Sequence, residues 1–161
     1  MDNWLKPYIE KLQNIFETRR NWKESSVLSR ILAEKRRSGV DSMEQRKQLG
    51  KDSEQLACKF LERQGYRLVQ RNFHSKWGEI DLIMRKGQEL VFVEVRSKSN
   101  RDYGQPAETV DKNKQEKIRK TAQLYLYQHQ EMKQCYCRFD VIGVVWQNGL
   151  AQIEWLADAF Q

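Results

Sequence analysis

Three carboxylates stand where a sheet would be most apolar. Glu79, Asp81 and Glu94 fall within the stretch Gly78–Lys98, GEIDLIMRKGQELVFVEVRSK, among Ile, Leu, Met, Val and Phe. A bare carboxylate buried in such surroundings costs several kcal/mol unless something compensates its charge, and a bound cation compensates it directly. The stretch reads as two strands joined by a turn at Lys86-Gly87-Gln88. Side chains alternate across a strand, so Glu79 shares a face with Asp81, and Glu94 shares one with Arg96 and Lys98. A hairpin centred near Gly87 sets Asp81 opposite Glu94, where Cβ atoms lie about 5 Å apart. Two carboxylates at that spacing, with a cation two residues on, suit one or two Mg²⁺ ions beside a reacting phosphate. The same spacing also suits a structural ion pair or the polar side of a half-exposed sheet, and spacing alone leaves both readings open.

The surrounding elements must hold this hairpin. Gln48–Gln64 reads as a helix stopped by Gly65, with Leu56, Ala57, Phe60 and Leu61 on its apolar face and Glu54 at the edge of that face. Tyr66–Asn72 is a short edge-strand candidate, and Phe73–Gly78 (FHSKWG) a loop carrying an aromatic residue and a lysine. After the hairpin, Ser99–Ala107 has loop composition, and Glu108–Gln130 reads as a long helix with Asp111 as N-cap. Ile118, Ala122, Tyr125 and Leu126 form its apolar stripe. Lys112, Lys114 and Lys117 crowd its first half, where they suit a phosphate backbone or simply a solvated face. Arg138–Trp146 is a further buried strand, with Asp140 near its start in a structural or supporting role. Asn148-Gly149 is a hairpin signal, Leu150–Leu156 pairs back, and Ala157–Gln161 is a short tail. The order α-β-β-β-α-β-β predicts an α/β fold, a mixed sheet flanked by helices.

Ahead of this unit, residues 1–48 read as a separate helical extension. Trp4, Tyr8, Leu12 and Ile15 recur at helical spacing, Val27 to Leu32 suggest a second helix, and Gly39 ends it. This extension packs on the main domain or on a second copy, or serves as a docking or DNA-contacting arm. Residues 49–161 form the main domain.

The net charge of +7 favours a polyanionic partner, nucleic acid being the simplest. The first 48 residues, at +4, hold more than their share of it. Three cysteines without a framework fit a reducing, cytoplasmic setting. Cys135 and Cys137 are better explained as same-side strand positions than as half a zinc site, and His74 and His129 read as surface or loop residues. No run approaches the roughly 18 apolar residues of a membrane span, and Met1–Leu12 does not read as a signal peptide.

These motifs in this order resemble the PD-(D/E)XK, or restriction-endonuclease-like, superfamily. Within it they are most similar to the YraN family of bacterial endonuclease-like proteins, itself similar to archaeal Holliday-junction resolvases. The resemblance runs from about Gly50 to Phe160. It rests on Glu54 with Ala57, Gly65-Tyr66, Arg71-Asn72, Gly78-Glu79-Ile80-Asp81-Leu82-Ile83, Val91-Phe92-Val93-Glu94-Val95, Lys114, Ala122, Arg138-Phe139-Asp140-Val141 and Ala159-Phe160. It implies that Asp81 and Glu94 hold Mg²⁺ or Mn²⁺ with help from Glu54. The position two after Glu94 is usually Lys in the superfamily and is Arg96 here; Ser53 stands where Gly is more usual. Arginine stays protonated, so Arg96 cannot be a general base, though it can stabilise charge on a phosphate; Lys98 is a substitute on the same strand face. The implied function is metal-dependent cleavage of DNA, branched or damaged DNA included, with Lys112, Lys114 and Lys117 on the backbone. A resolvase-like role implies a two-fold homodimer. The alternative is a nucleic-acid-binding protein that has kept the fold without catalysis.

Overall fold

A computed structural model of the chain describes residues 42–98, 110–147 and 150–161. The helices expected within 1–40, the 99–107 loop and the Asn148-Gly149 turn lie outside the described residues.

The first helix, α1, spans Ser42–Arg63. It starts six residues before the expected Gln48, because Ser42–Lys47 contains good helix formers, an acidic residue (Glu44) in the first turn, and no breaker. Its end is set by Gly65 at φ 87°. The Gly65 N–H donates to the Glu62 carbonyl and the Tyr66 N–H to the Leu61 carbonyl, which is the Schellman closure. Tyr66 therefore belongs to the cap, and strand β1 runs over Arg67–His74. Phe73 and His74 lie in this strand and not in the expected loop; Phe73 is buried, which rewards the two extra residues.

Strands β2 (Glu79–Lys86) and β3 (Glu89–Lys98) form the expected hairpin. Gly87 takes φ 60° as the first of the two turn residues, where a tight hairpin needs left-handed backbone. Helix α2 spans Lys112–Gln128. Its start is fixed by Asp111, whose carboxylate accepts the Lys114 N–H at 2.8 Å, so Val110 and Asp111 precede the helix instead of lying in it as expected; Glu108 and Thr109 lie outside the described residues. Removing this cap in Asp111→Ala is expected to cost about 1 kcal/mol in urea unfolding. The helix closes at His129, whose ring stacks on Tyr125 and whose N–H donates to the Tyr125 carbonyl. A short 3₁₀ turn at Gln130–Met132 leads into β4, Tyr136–Gln147, and β5, Leu150–Phe160.

β5 outruns the expected Leu150–Leu156. The register shifts between Phe139 and Val141, and Asp158 adopts φ 53°, which returns Phe160 to a position opposite Phe139. The supposed tail is thus the end of a strand, with Phe160 stacked on Phe139.

The five strands lie in chain order, β1-β2-β3-β4-β5. Only β3 and β4 are parallel, and α2 lies between them in the chain. The result is the expected α/β architecture: helix, three strands, helix, two strands, with a five-stranded mixed sheet. Alternation along β3 builds two cores. Val91 and Val93 join Leu82, Met84, Ile142, Val144 and Trp146 under α1. Leu90 and Phe92 join Ile83, Val141, Ile118, Ala122 and Tyr125 under α2. The two helices therefore cover opposite faces, and the centre of the sheet is buried on both sides. The α2 stripe differs from expectation in one place: Thr121 is fully buried, whereas Leu126 is only half-buried. No described helix is long and apolar enough to cross a membrane.

Candidate active site

The β2–β3 register pairs Leu82 with Val93, so the next position along the ladder sets Asp81 against Glu94, as the spacing predicts. Both are buried: Asp81 is 8% exposed and Glu94 4%. On β3, Glu94 lies two residues beyond Phe92, on the face covered by α2.

Hydrogen bonding to the two carboxylates is unequal. Asp81 Oδ2 accepts the Val95 N–H at 2.6 Å. Glu94 Oε1 faces two cations, Lys114 Nζ at 3.2 Å and Arg96 Nε at 3.3 Å. Its other oxygen, Oε2, is buried without a hydrogen-bond partner among the described residues. Arg96 Nε is also buried, and its contact with Glu94 has an ion-pair distance without hydrogen-bond alignment. Burial, then the neighbouring Glu94 charge, pushes the Asp81 carboxyl up to about 7. Burial also raises Glu94, against the opposing pull of Lys114 and Arg96. The pair is thus a site of stored electrostatic cost, the state expected of carboxylates held ready for a cation.

The sequence-derived candidates fall into four groups. Asp81, Glu94, Arg96 and Lys114 come together. Lys114, expected along a phosphate backbone or on a solvated face, reaches the carboxylate pair from α2. Glu54 is half-buried on α1 and acts on Asp81 through its field, raising its pKa. It does not join Asp81 and Glu94 in a three-ligand cluster; no group of three or more metal-ligating side chains converges among the described residues. Lys112 and Lys117 are exposed on the first turns of α2. Lys98 ends β3, and its side chain lies outside the described residues.

Two carboxylates suffice for one class of ion. Mg²⁺ is commonly held by one or two carboxylates and completed by substrate phosphates and water. Hard oxygen donors and an unsatisfied buried carboxylate oxygen fit Mg²⁺ or Mn²⁺, with Asp81 and Glu94 as the residues that would hold it.

Sequence reasoning gave Asp140 a structural or supporting role but assigned no contacts to Ser53. Ser53 is fully buried and accepts from Trp146 Nε1 at 2.9 Å; the Ser97 hydroxyl lies 2.9 Å away, between Arg96 and Lys98 on β3. Its signal was present, since Ser53 is four residues from both Leu49 and Ala57 on the buried helix face. Asp140 is likewise fully buried, in a network with Arg138, Glu89, Tyr66 and Trp155. It sits on the α1 face and supports the fold, not the carboxylate pair.

Comparison with known proteins places these features in a family. The model of the uncharacterised protein family UPF0102 matches residues 53–144. A UPF0102 protein of Nitrosococcus oceani is 42% identical over 112 residues, covering 70% of this chain and 90% of its own length. One from Acinetobacter baumannii is 40% identical over 125 residues, covering 70% and 94%. Another, from Pseudomonas savastanoi pv. phaseolicola, is 42% identical over 116 residues, covering 71% and 94%. Among solved structures, Pyrococcus furiosus SfsA in complex with Ca²⁺ is similar at 14% identity and a TM-score of 0.31. That similarity covers 70% of this chain and 63% of SfsA. A superposition that loose says nothing about this chain's ligands or activity.

Proposed function

We propose that this chain, which belongs to the uncharacterised protein family UPF0102, the YraN family expected from its motifs, is a metal-dependent endonuclease of DNA. The observation that carries the reading is the buried Glu94 Oε2, without a hydrogen-bond partner among the described residues, beside Asp81, whose proton affinity is raised by burial and by Glu94. Held by Asp81 and Glu94, with Glu54 nearby, Mg²⁺ or Mn²⁺ would supply the Lewis acidity that phosphodiester hydrolysis needs. The chain's own residues account for the rest. Lys114 brings to Glu94 the amine that position 96 lacks. The Arg96 guanidinium, permanently charged, steadies charge developing on the phosphate and takes no proton. Lys112 and Lys117 hold the strand backbone from the exposed turn of α2. A homodimer would present two such sites to a branched duplex, and sedimentation equilibrium tests for it.

The direct test is incubation with linear, single-stranded, flapped and four-way-junction DNA in Mg²⁺, Mn²⁺ and EDTA, beside an Asp81→Ala control. Cleavage that needs metal and vanishes in the variant, with DNA binding retained, is the expected result. Metal-dependent cleavage that persists in Asp81→Ala would remove the site.

One observation favours a second reading, a nucleic-acid-binding protein without catalysis. Arg96 and Lys114 both lie against Glu94 Oε1, and two cations could take the place of a metal. Titration with Mg²⁺ separates the readings, because a protein of this second kind gains no thermal stability from the ion.

A further inference from the structure

The loop between β1 and β2 holds its aromatic residue out in water. Trp77 is 37% exposed, so part of its ring is open to solvent. The exposure is built in. The Ser75 N–H donates to the Gly78 carbonyl at 2.8 Å, and Ser75 Oγ accepts the Trp77 N–H at 3.0 Å. Ser75 Oγ also lies 2.7 Å from Thr121 Oγ1, which is fully buried in α2. Four residues are thus closed into a turn and tied to the helix, with the Trp77 side chain partly open to solvent.

That turn borders a cleft of about 330 Å³, lined by His74, Ser75, Trp77, Glu79, Lys114 and Lys117. Lys114 belongs to both the cleft and the site, since its Nζ is 3.2 Å from Glu94. Lys117 lies three residues on, along the same side of α2. Lys76 Nζ lies over the Trp77 ring, 4.7 Å from its centroid. A fixed exposed aromatic, ringed by lysines and adjoining a carboxylate pair, is the composition of a single-strand subsite, where bases stack on the ring and phosphates meet the cations. Paired bases in a duplex present no free face to stack.

We infer that this cleft holds one unpaired nucleotide of a DNA strand, its base stacked on Trp77 and its flanking phosphates on Lys114 and Lys117. This rests on the nuclease reading only in the next step: the strand leaving the cleft delivers its phosphate to Asp81 and Glu94, so the substrate class is DNA with unpaired nucleotides.

The test uses the full chain in EDTA, with a fluorescently labelled 15-nucleotide oligothymidylate and a duplex of equal length, read by anisotropy. Trp77→Ala is expected to weaken single-strand binding roughly ten- to hundredfold and to leave duplex binding within about twofold; Trp77→Phe keeps most of the affinity. Circular dichroism melting checks that the variants fold, as substitutions on an exposed loop should. Single-strand affinity unchanged in Trp77→Ala, an equal loss for duplex and single strand, or no single-strand binding by the wild type would overturn the inference. Its failure is separable from that of the nuclease reading. Trp77-dependent binding that persists in Asp81→Ala, in a protein that cuts none of the DNA panel, keeps the subsite and removes the nuclease. Metal-dependent cleavage of single strands that is indifferent to Trp77 keeps the nuclease and removes the subsite.

Discussion

Arg138→Ala is expected to destabilise the protein by about 3–5 kcal/mol in urea unfolding, the cost of breaking a buried ion pair on one side. The guanidinium holds Asp140 with Nε at 2.8 Å and Nη2 at 3.0 Å, donates to Glu89 through Nη1, and reaches Tyr66 Oη at 3.0 Å. Asp140 is fully buried. Without Arg138 it keeps only Trp155 Nε1 at 2.8 Å and the Asp158 N–H at 3.0 Å, donors without a full charge. Tyr66 serves the same network from the α1 cap. Burial and its bond to Glu89 push the phenol up to about 12, so it stays protonated and donates to Glu89 at 2.6 Å. The partners are coupled: Arg138→Ala/Asp140→Ala should lose less than the two single changes added together, by roughly 1–3 kcal/mol. Glu89 lies five residues before Glu94 on β3, on the opposite face, so any response to Mg²⁺ should survive these changes at temperatures where the variants fold. A response lost along with stability would mean that the network positions the site as well as the sheet.

The Asp81–Glu94 pairing was legible because it depends on three local facts: alternation along each strand, a glycine turn of fixed length, and carboxylates among apolar neighbours. The order of elements and the Asp111 cap were legible for similar reasons. Lys114 was read as a backbone contact because nothing in its own helix reveals that α2 lies over Glu94; that proximity is created by the crossover from β3 to β4. A structural or supporting role for Asp140 was legible, but its network was not, since Arg138 draws in Glu89 and Tyr66 from 49 and 72 residues away. The extension of β5 to Phe160 was hidden by Asp158, a residue type that normally ends a strand and here makes a bulge at φ 53°. Ser53 was the recoverable omission, because its place in the apolar helix stripe was visible without any partner.

Asp81→Asn is expected to move stability and function in opposite directions. In the metal-free protein burial and the Glu94 charge push the Asp81 carboxyl up to about 7, against an unfolded value of about 3.9. Between those values the folded chain keeps a proton that the unfolded chain has shed. Wild-type stability therefore falls as pH rises from about 4 to about 7, and levels off above. Asparagine accepts the Val95 N–H through its carbonyl oxygen and carries no charge to desolvate. At pH 8 in EDTA the variant should be the more stable by roughly 2–4 kcal/mol, with the difference vanishing toward pH 4, as read by urea unfolding at each pH. Adding Mg²⁺ should reverse the order. The wild type gains by mass action, more strongly above pH 7 than below it because ion and proton compete for the pair, and the variant gains little. Cleavage should fall by a factor of about 10² or more as the metal-holding carboxylate is lost. A structural ion pair requires the contrary: Asp81 would be stabilising, its replacement would lower stability at neutral pH, and Mg²⁺ would not distinguish the two proteins. The sign of that one difference at pH 8 decides whether the carboxylates are there to hold the sheet or to hold a cation at the sheet's expense.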